Sequence, residues 1–128
     1  MEKINTIKEI LITFQVAKLA KEKGFNIYQP IQYSYAVNPT TEYNYTENQC
    51  KLFNDTYYAP TQSLLQKWLR EEHHLIVIVA YQYEHDSTPY CYWIYKENNS
   101  LPLNQWINDL KTYEEALEFG LIEALKLI

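Results

Sequence analysis

The side chains of this chain that could ligate a metal or act as nucleophile and base are few: Cys50, Cys91, His73, His74 and His85. A zinc site needs three or four such ligands converging tetrahedrally, and spacings such as C-x-x-C or H-x-x-x-H deliver two of them from one element. Neither spacing occurs, and the adjacent His73 and His74 project in different directions from a helix. No metal site is expected. Cys91 and His85 could meet across a hairpin turn as a thiol and its base. That spacing supplies no third group to orient the imidazole and no oxyanion donors. Between Tyr90 and Tyr92 in a strand-like run, Cys91 reads as a small packing residue. The carboxylate pairs Glu71–Glu72 and Glu114–Glu115 fall on helix surfaces. With only Gly24 and Gly120, neither G-x-G-x-x-G nor G-x-x-x-x-G-K-[ST] can be written, so no glycine-rich loop cradles phosphate. The chemistry points to a non-enzymatic chain with no cofactor.

What the chain has in excess is phenol. Thirteen tyrosines stand among 128 residues, and aromatic residues make up 16% of the chain. Each buried phenol needs a hydrogen-bond partner, so a core of this size takes roughly five or six. The remainder lie at the surface, where rigid amphipathic rings suit protein interfaces and flat rings stack on bases. The candidate binding residues are Tyr33, Tyr35, Tyr43, Tyr45, Tyr57 and Tyr58, with Trp93 in support. The competing reading is that tyrosine replaces Phe and Leu on half-exposed strand faces.

Charge narrows the partners. Sixteen acids face ten lysines and one arginine, Arg70, for a net charge of -5. Sequence-specific nucleic-acid binding needs clustered bases and bidentate arginine, so it is not expected. Lys18, Lys21 and Lys23 read as a solvated helix face. No apolar run approaches the ~18 residues of a membrane span, and the longest, from Leu75 to Tyr81, has the length of a strand. The N-terminal residues show no basic-then-apolar targeting pattern. The expectation is a cytoplasmic protein whose two cysteines are free thiols.

The elements that must position these residues read as α+β, a small antiparallel sheet with about three helices packed on one face, in a single domain over 1–128. Thr13 caps a first helix that ends before Gly24. Whether residues 7–12 extend that helix or form a short strand stays open. Ile31, Tyr33, Tyr35 and Val37 alternate as one face of a half-buried strand, Asn38-Pro39-Thr40 marks a turn, and residues 49–53 form a weaker strand candidate. Thr61 caps a helix to about His73, with Leu64, Leu65, Trp68 and Leu69 on one side. Residues 75–83 read as a central strand with 90–95 as its antiparallel partner. Thr112 and Glu115 spell a capping box for the last helix, whose apolar stripe includes Leu117, Leu121 and Leu125.

Three segments carry a resemblance: Ala17-Lys18-Leu19-Ala20-Lys21-Glu22-Lys23-Gly24-Phe25, the run from Ala59-Pro60-Thr61 to Arg70-Glu71, and Tyr113-Glu114-Glu115-Ala116-Leu117 with Glu123-Ala124-Leu125-Lys126-Leu127-Ile128. In that order and at this length the chain resembles small, uncharacterised phage- and prophage-encoded proteins of gut bacteria. The resemblance covers about a third of the residues and brings no active site. It implies an accessory protein in the bacterial cytoplasm that interferes with a host process such as antiviral defence. The expected partner is a host or phage protein met by the tyrosine-rich surface. The alternatives are sequestration of a small nucleotide-like signal between aromatic rings, and a small enzyme with an unrecognised site. A small sheet with apolar edges also makes a homo-oligomer an expectation.

Overall fold

A computed structural model describes residues 8–34, 38–53, 55–83, 87–105 and 110–128. The order of elements is α1 (Phe14–Glu22), β1 (Gln32–Ser34), β2 (Asn38–Tyr43), α2 (Glu47–Leu52), β3 (Thr56–Tyr58), α3 (Gln62–His73), β4 (Leu75–Tyr81), β5 (Tyr90–Lys96) and α4 (Tyr113–Lys126). The α+β class holds. The strands, however, divide into two antiparallel sheets, β2-β1-β3 and β4-β5, and a fourth helix, α2, lies between β2 and β3.

The first helix starts where Thr13 Oγ1 accepts the amide of Val16 at 3.4 Å. It stops at Gly24, whose φ of +101° lets the Phe25 amide return to the carbonyl of Ala20. Residues 8–12 neither extend that helix nor form a full strand. Leu11 makes a single antiparallel bridge to Thr61, while the Ile12 amide donates to Pro60 O and the Gln62 amide to Ile10 O. Thr61 caps α3 by accepting the Leu64 amide at 3.2 Å. His74 ends that helix in the left-handed region at φ +57°. Thr112 caps α4 through the Glu115 amide, but the reciprocal half of the expected capping box is absent: Glu115 Oε1 accepts the amide of Lys111 instead. The reciprocal box occurs at α2, between Thr46 and Gln49.

Three strand expectations need correction. Asn38-Pro39-Thr40 opens β2 rather than turning, because the chain pairs back onto β1 from Asn38. Residues 49–53 are helical up to Leu52, since the Thr46 cap satisfies the first-turn amides. The alternation assigned to β1 fails at its centre, where Gln32, Tyr33 and Ser34 are all buried. Gln32 survives complete burial because its amide nitrogen donates to Gln29 O and Tyr45 O while its oxygen accepts the Tyr45 amide. Tyr35 and Val37, assigned to the same face, lie outside the described residues.

The core gathers around α4, which packs on β4 and β5 with α1 and α3 beside it. Gly120 permits that approach: a Cβ there would meet Val77 Cγ1 at 2.7 Å and the Tyr92 ring at 3.2 Å. Ile12, Val16, Leu65, Leu69, Tyr92, Ile94, Leu121 and Leu125 fill the interior. The expectation that the start of β4 is central in a sheet is overturned. Its apolar inner side is covered by α3 and α4, and the strand itself is one of only two in its sheet. Glu118 of α4 ties the three long helices together, accepting from the Thr13 amide and hydroxyl and from Gln62 Nε2. Among the described residues no helix is long and apolar enough to cross a membrane.

Candidate functional site

The tyrosine-rich middle does not form one flat surface. Its structure instead surrounds a cleft of about 390 Å³ between the end of α1, the end of α2 and β3. From the first side come Lys21, Gly24, Phe25 and Asn26; from α2 and its exit come Cys50 and Phe53; from β3 come Thr56 and Tyr58. Local chemistry places each. The Gly24 stop turns Phe25 inward, where its ring meets Trp68 edge-on at 5.3 Å. The capping box of α2 orients Cys50 inward and leaves Leu52 79% exposed. Strand periodicity puts Thr56 and Tyr58 on the same face of β3, the face that lines the cleft.

An aromatic wall continues outward from this cleft. Tyr58 meets Tyr28 edge-on at 5.8 Å, and the Tyr28 hydroxyl donates to the carbonyl of Tyr45 at 2.8 Å. Tyr45 packs on Phe53 at 5.1 Å and stacks on Tyr43 at 5.4 Å with their planes 6° apart. Lys21 supplies the positive charge of the lining: its Nζ donates to Thr56 O at 2.9 Å and lies 4.7 Å from the centre of the Tyr57 ring. Burial, and then the Glu47 carboxylate, push the Cys50 thiol up, so it stays protonated at neutral pH and is no nucleophile. Burial likewise raises the Tyr58 hydroxyl, with lesser contributions from Cys50, Glu47 and Tyr28.

Thr56 carries the most informative atom in the cleft. Its side chain is buried and its Oγ1 has no hydrogen-bond partner among the described residues. A buried hydroxyl left without a partner costs about 1–3 kcal/mol, and such groups call for an explanation.

The expected binding residues are distributed as follows. Tyr58 lines the cleft, Tyr43 and Tyr45 extend its wall, and Tyr57 lies beneath Lys21 with its ring edge-on to Phe14 at 5.3 Å. Tyr33 must be corrected: it is a core residue, 6% exposed, whose hydroxyl donates to Ile12 O at 2.7 Å. Desolvation, followed by the fields of Glu42 and Glu118, pushes that hydroxyl up to about 12. Trp93 stands in the other sheet, opposite Ile78, and does not join the cleft. Tyr35 lies outside the described residues. The residues that sequence reasoning missed are Phe25, Phe53, Thr56 and Lys21. The one signal for them was the Gly24-Phe25 helix stop, which fixes where the chain turns but not what it faces.

His73 and His74 part company, as adjacent helical residues should: His73 packs on Trp68 and His74 Nδ1 lies 3.2 Å from Glu97 Oε1. His85 lies outside the described residues, and with it the proposed meeting with Cys91. Cys50 and Cys91 are free, buried thiols. Among the described residues no three His, Cys, Asp or Glu side chains converge as metal ligands would. Comparison with known proteins finds no matching family model, no matching curated protein and no matching solved structure.

Proposed function

We propose that the protein acts by binding, and that the α1–α2–β3 cleft holds a small, flat, mostly apolar molecule. The observation that carries this reading is the buried, unpartnered Thr56 hydroxyl behind a lining that includes Phe25, Phe53 and Tyr58 together with Lys21, Asn26 and Cys50. Small-molecule sites are concave, largely apolar, and contain a few polar groups that fix orientation. The volume of about 390 Å³ falls within the usual range for such sites. One lysine lines the cleft, so a ring bearing at most one negative charge fits better than a nucleotide with several phosphates. Of the two binding readings that the sequence supports, a protein partner and a small nucleotide-like signal, the concave shape favours the second, narrowed to an aromatic ring with at most one negative charge. The resemblance to phage-encoded proteins supports interference with a host process as its purpose, in the cytoplasm of the bacterial host.

The second reading, a protein partner, is favoured by Phe53, which lines the cleft and is 42% exposed, and by its neighbour Leu52, 79% exposed. A fragment panel of neutral and singly charged heteroaromatic rings, observed by ligand NMR, separates the two. Fragments should bind the wild type and lose binding in Thr56→Val and Phe53→Ser. Binding unaffected by either substitution, or no fragment binding at all, would overturn the small-molecule reading.

A further inference from the structure

A separate feature, independent of the cleft, lies on the other sheet. Ile94 directs both its backbone groups away from β4: its amide donates to Asn104 Oδ1 and its carbonyl accepts from the Leu103 amide. Tyr90 does the same with Leu110, and the Tyr92 carbonyl with Asn104 Nδ2. Their partners across the ladder, Val77, Tyr81 and Val79, therefore point their own amides and carbonyls away from β5, along an edge that pairs with no other strand among the described residues. Gln66 Nε2 reaches the Val77 carbonyl at 2.7 Å, which confirms the direction. Among the described residues no hydrogen bond reaches the outward groups of Val79 and Tyr81.

Edges of this kind are ordinarily protected by charge, proline or a bulge. Leu75-Ile76-Val77-Ile78-Val79-Ala80-Tyr81 has none of these, and its pairing with β5 runs without a register shift. Neither β4 nor β5 contains an acidic residue, although the chain as a whole carries a net charge of -5. The strand edges themselves thus bring no like charges together. Beside the edge are the exposed tyrosines Tyr81, Tyr83 and Tyr113, at 63%, 75% and 44%. At about 150–250 Å² for a whole aromatic side chain, they leave roughly 300–450 Å² in water. That is about half of the ~800 Å² that each partner buries in a stable pair.

We infer that β4 is the dimerisation edge of the protein, pairing antiparallel with β4 of a second copy about a two-fold axis at Val79. In that register Val79 faces Val79 of the second copy and Val77 faces its Tyr81, so the outward groups of Val79 and Tyr81 find partners and the Val77 carbonyl is shared between Gln66 and the second copy's Tyr81 amide. The same register sets the second copy's Tyr81 beside Gln66. There a groove of about 260 Å³ opens between α3 and α4, lined by Gln62, Ser63, Gln66 and Leu117 and rimmed by Lys8, Glu9 and Glu114. A cavity of about 150 Å³ already admits a benzene ring, and the polar lining suits a phenol tip. Tyrosine and groove are present on every copy, so the contact is reciprocal and closes at two.

The test is the mass of the whole chain in solution by light scattering at about 100 µM, with amide exchange at β4. The expected mass is twice 15.4 kDa, with the Val77, Val79 and Tyr81 amides protected. Tyr81→Lys should weaken association by at least about thirtyfold, as for a central interface tyrosine, while leaving the melting temperature of the monomer within a few degrees. Val79→Pro removes only the outward amide and should give a monomer as well. A wild-type monomer would overturn the inference, as would a dimer that survives Tyr81→Lys or whose β4 amides exchange freely. Should Val79→Pro fail to fold, the Tyr81→Lys result and the exchange pattern decide alone.

Discussion

Thr56→Val is the most direct probe of the cleft. Valine keeps the branched shape that strand β3 favours and removes only the hydroxyl, which is buried and without a partner among the described residues. An unsatisfied buried hydroxyl costs about 1–3 kcal/mol, whereas removing it without opening a cavity recovers that cost. The variant should therefore be more stable than the wild type by about 1–2 kcal/mol. For a chain of this length that is a rise in melting temperature of about 3–10 °C. Urea unfolding should show a higher midpoint with an unchanged slope. Thr56→Ser is the control: it keeps the hydroxyl, loses a methyl group and should be less stable than the wild type. Gain of stability with loss of ligand binding is the usual signature of a group retained for function. If Thr56→Val is neutral or destabilising, the hydroxyl has a partner in solution, and the cleft loses its principal claim to a ligand.

Two further outcomes follow from the core. The raised hydroxyl of Tyr33 means that the folded chain keeps a proton which the unfolded chain, titrating at 10.0, releases. The stability this contributes is complete below pH 10 and is lost as pH rises toward about 12, by about 2–3 kcal/mol in all. Tyr33→Phe should cost about 1–2 kcal/mol at pH 7, by stranding the Ile12 carbonyl, and should flatten the decline above pH 10. Equal alkaline slopes in urea titrations at pH 9, 10 and 11 would contradict the assignment. Gly120→Ala should destabilise by about 1–3 kcal/mol despite alanine's better helix propensity, because its Cβ would press on Val77 Cγ1 at 2.7 Å. Thermal denaturation checks this, and Val77→Ala in the same chain should recover part of the loss.

Helices were legible because their signals are local. Thr13, Thr61 and Thr112 each cap the helix expected of them, and Gly24 stops the first. The β4–β5 pair was legible for a similar reason: an apolar run, a short polar turn and a second run admit few arrangements. The candidate site was only half legible. Tyr43, Tyr45 and Tyr58 were expected at a contact surface and line or flank the cleft, whereas Tyr33 went into the core. Alternation cannot tell the two apart, because both faces of β1 are covered in the fold.

Composition and spacing by themselves determined the α+β class, the helix ends, the small number of cysteines and histidines and the surplus of phenol. Each depends on residue type or on neighbours within a few positions. Tertiary structure alone decided which phenols are covered, because burial depends on elements far apart in the chain. Ile12 takes the hydroxyl of Tyr33, the turn at Gly24 faces α2 and β3 across the cleft, and α4 settles onto one face of β4 while its edge takes no further strand among the described residues. Whether a hydroxyl or a strand edge is satisfied is a property of its surroundings, and no periodicity in the chain encodes it.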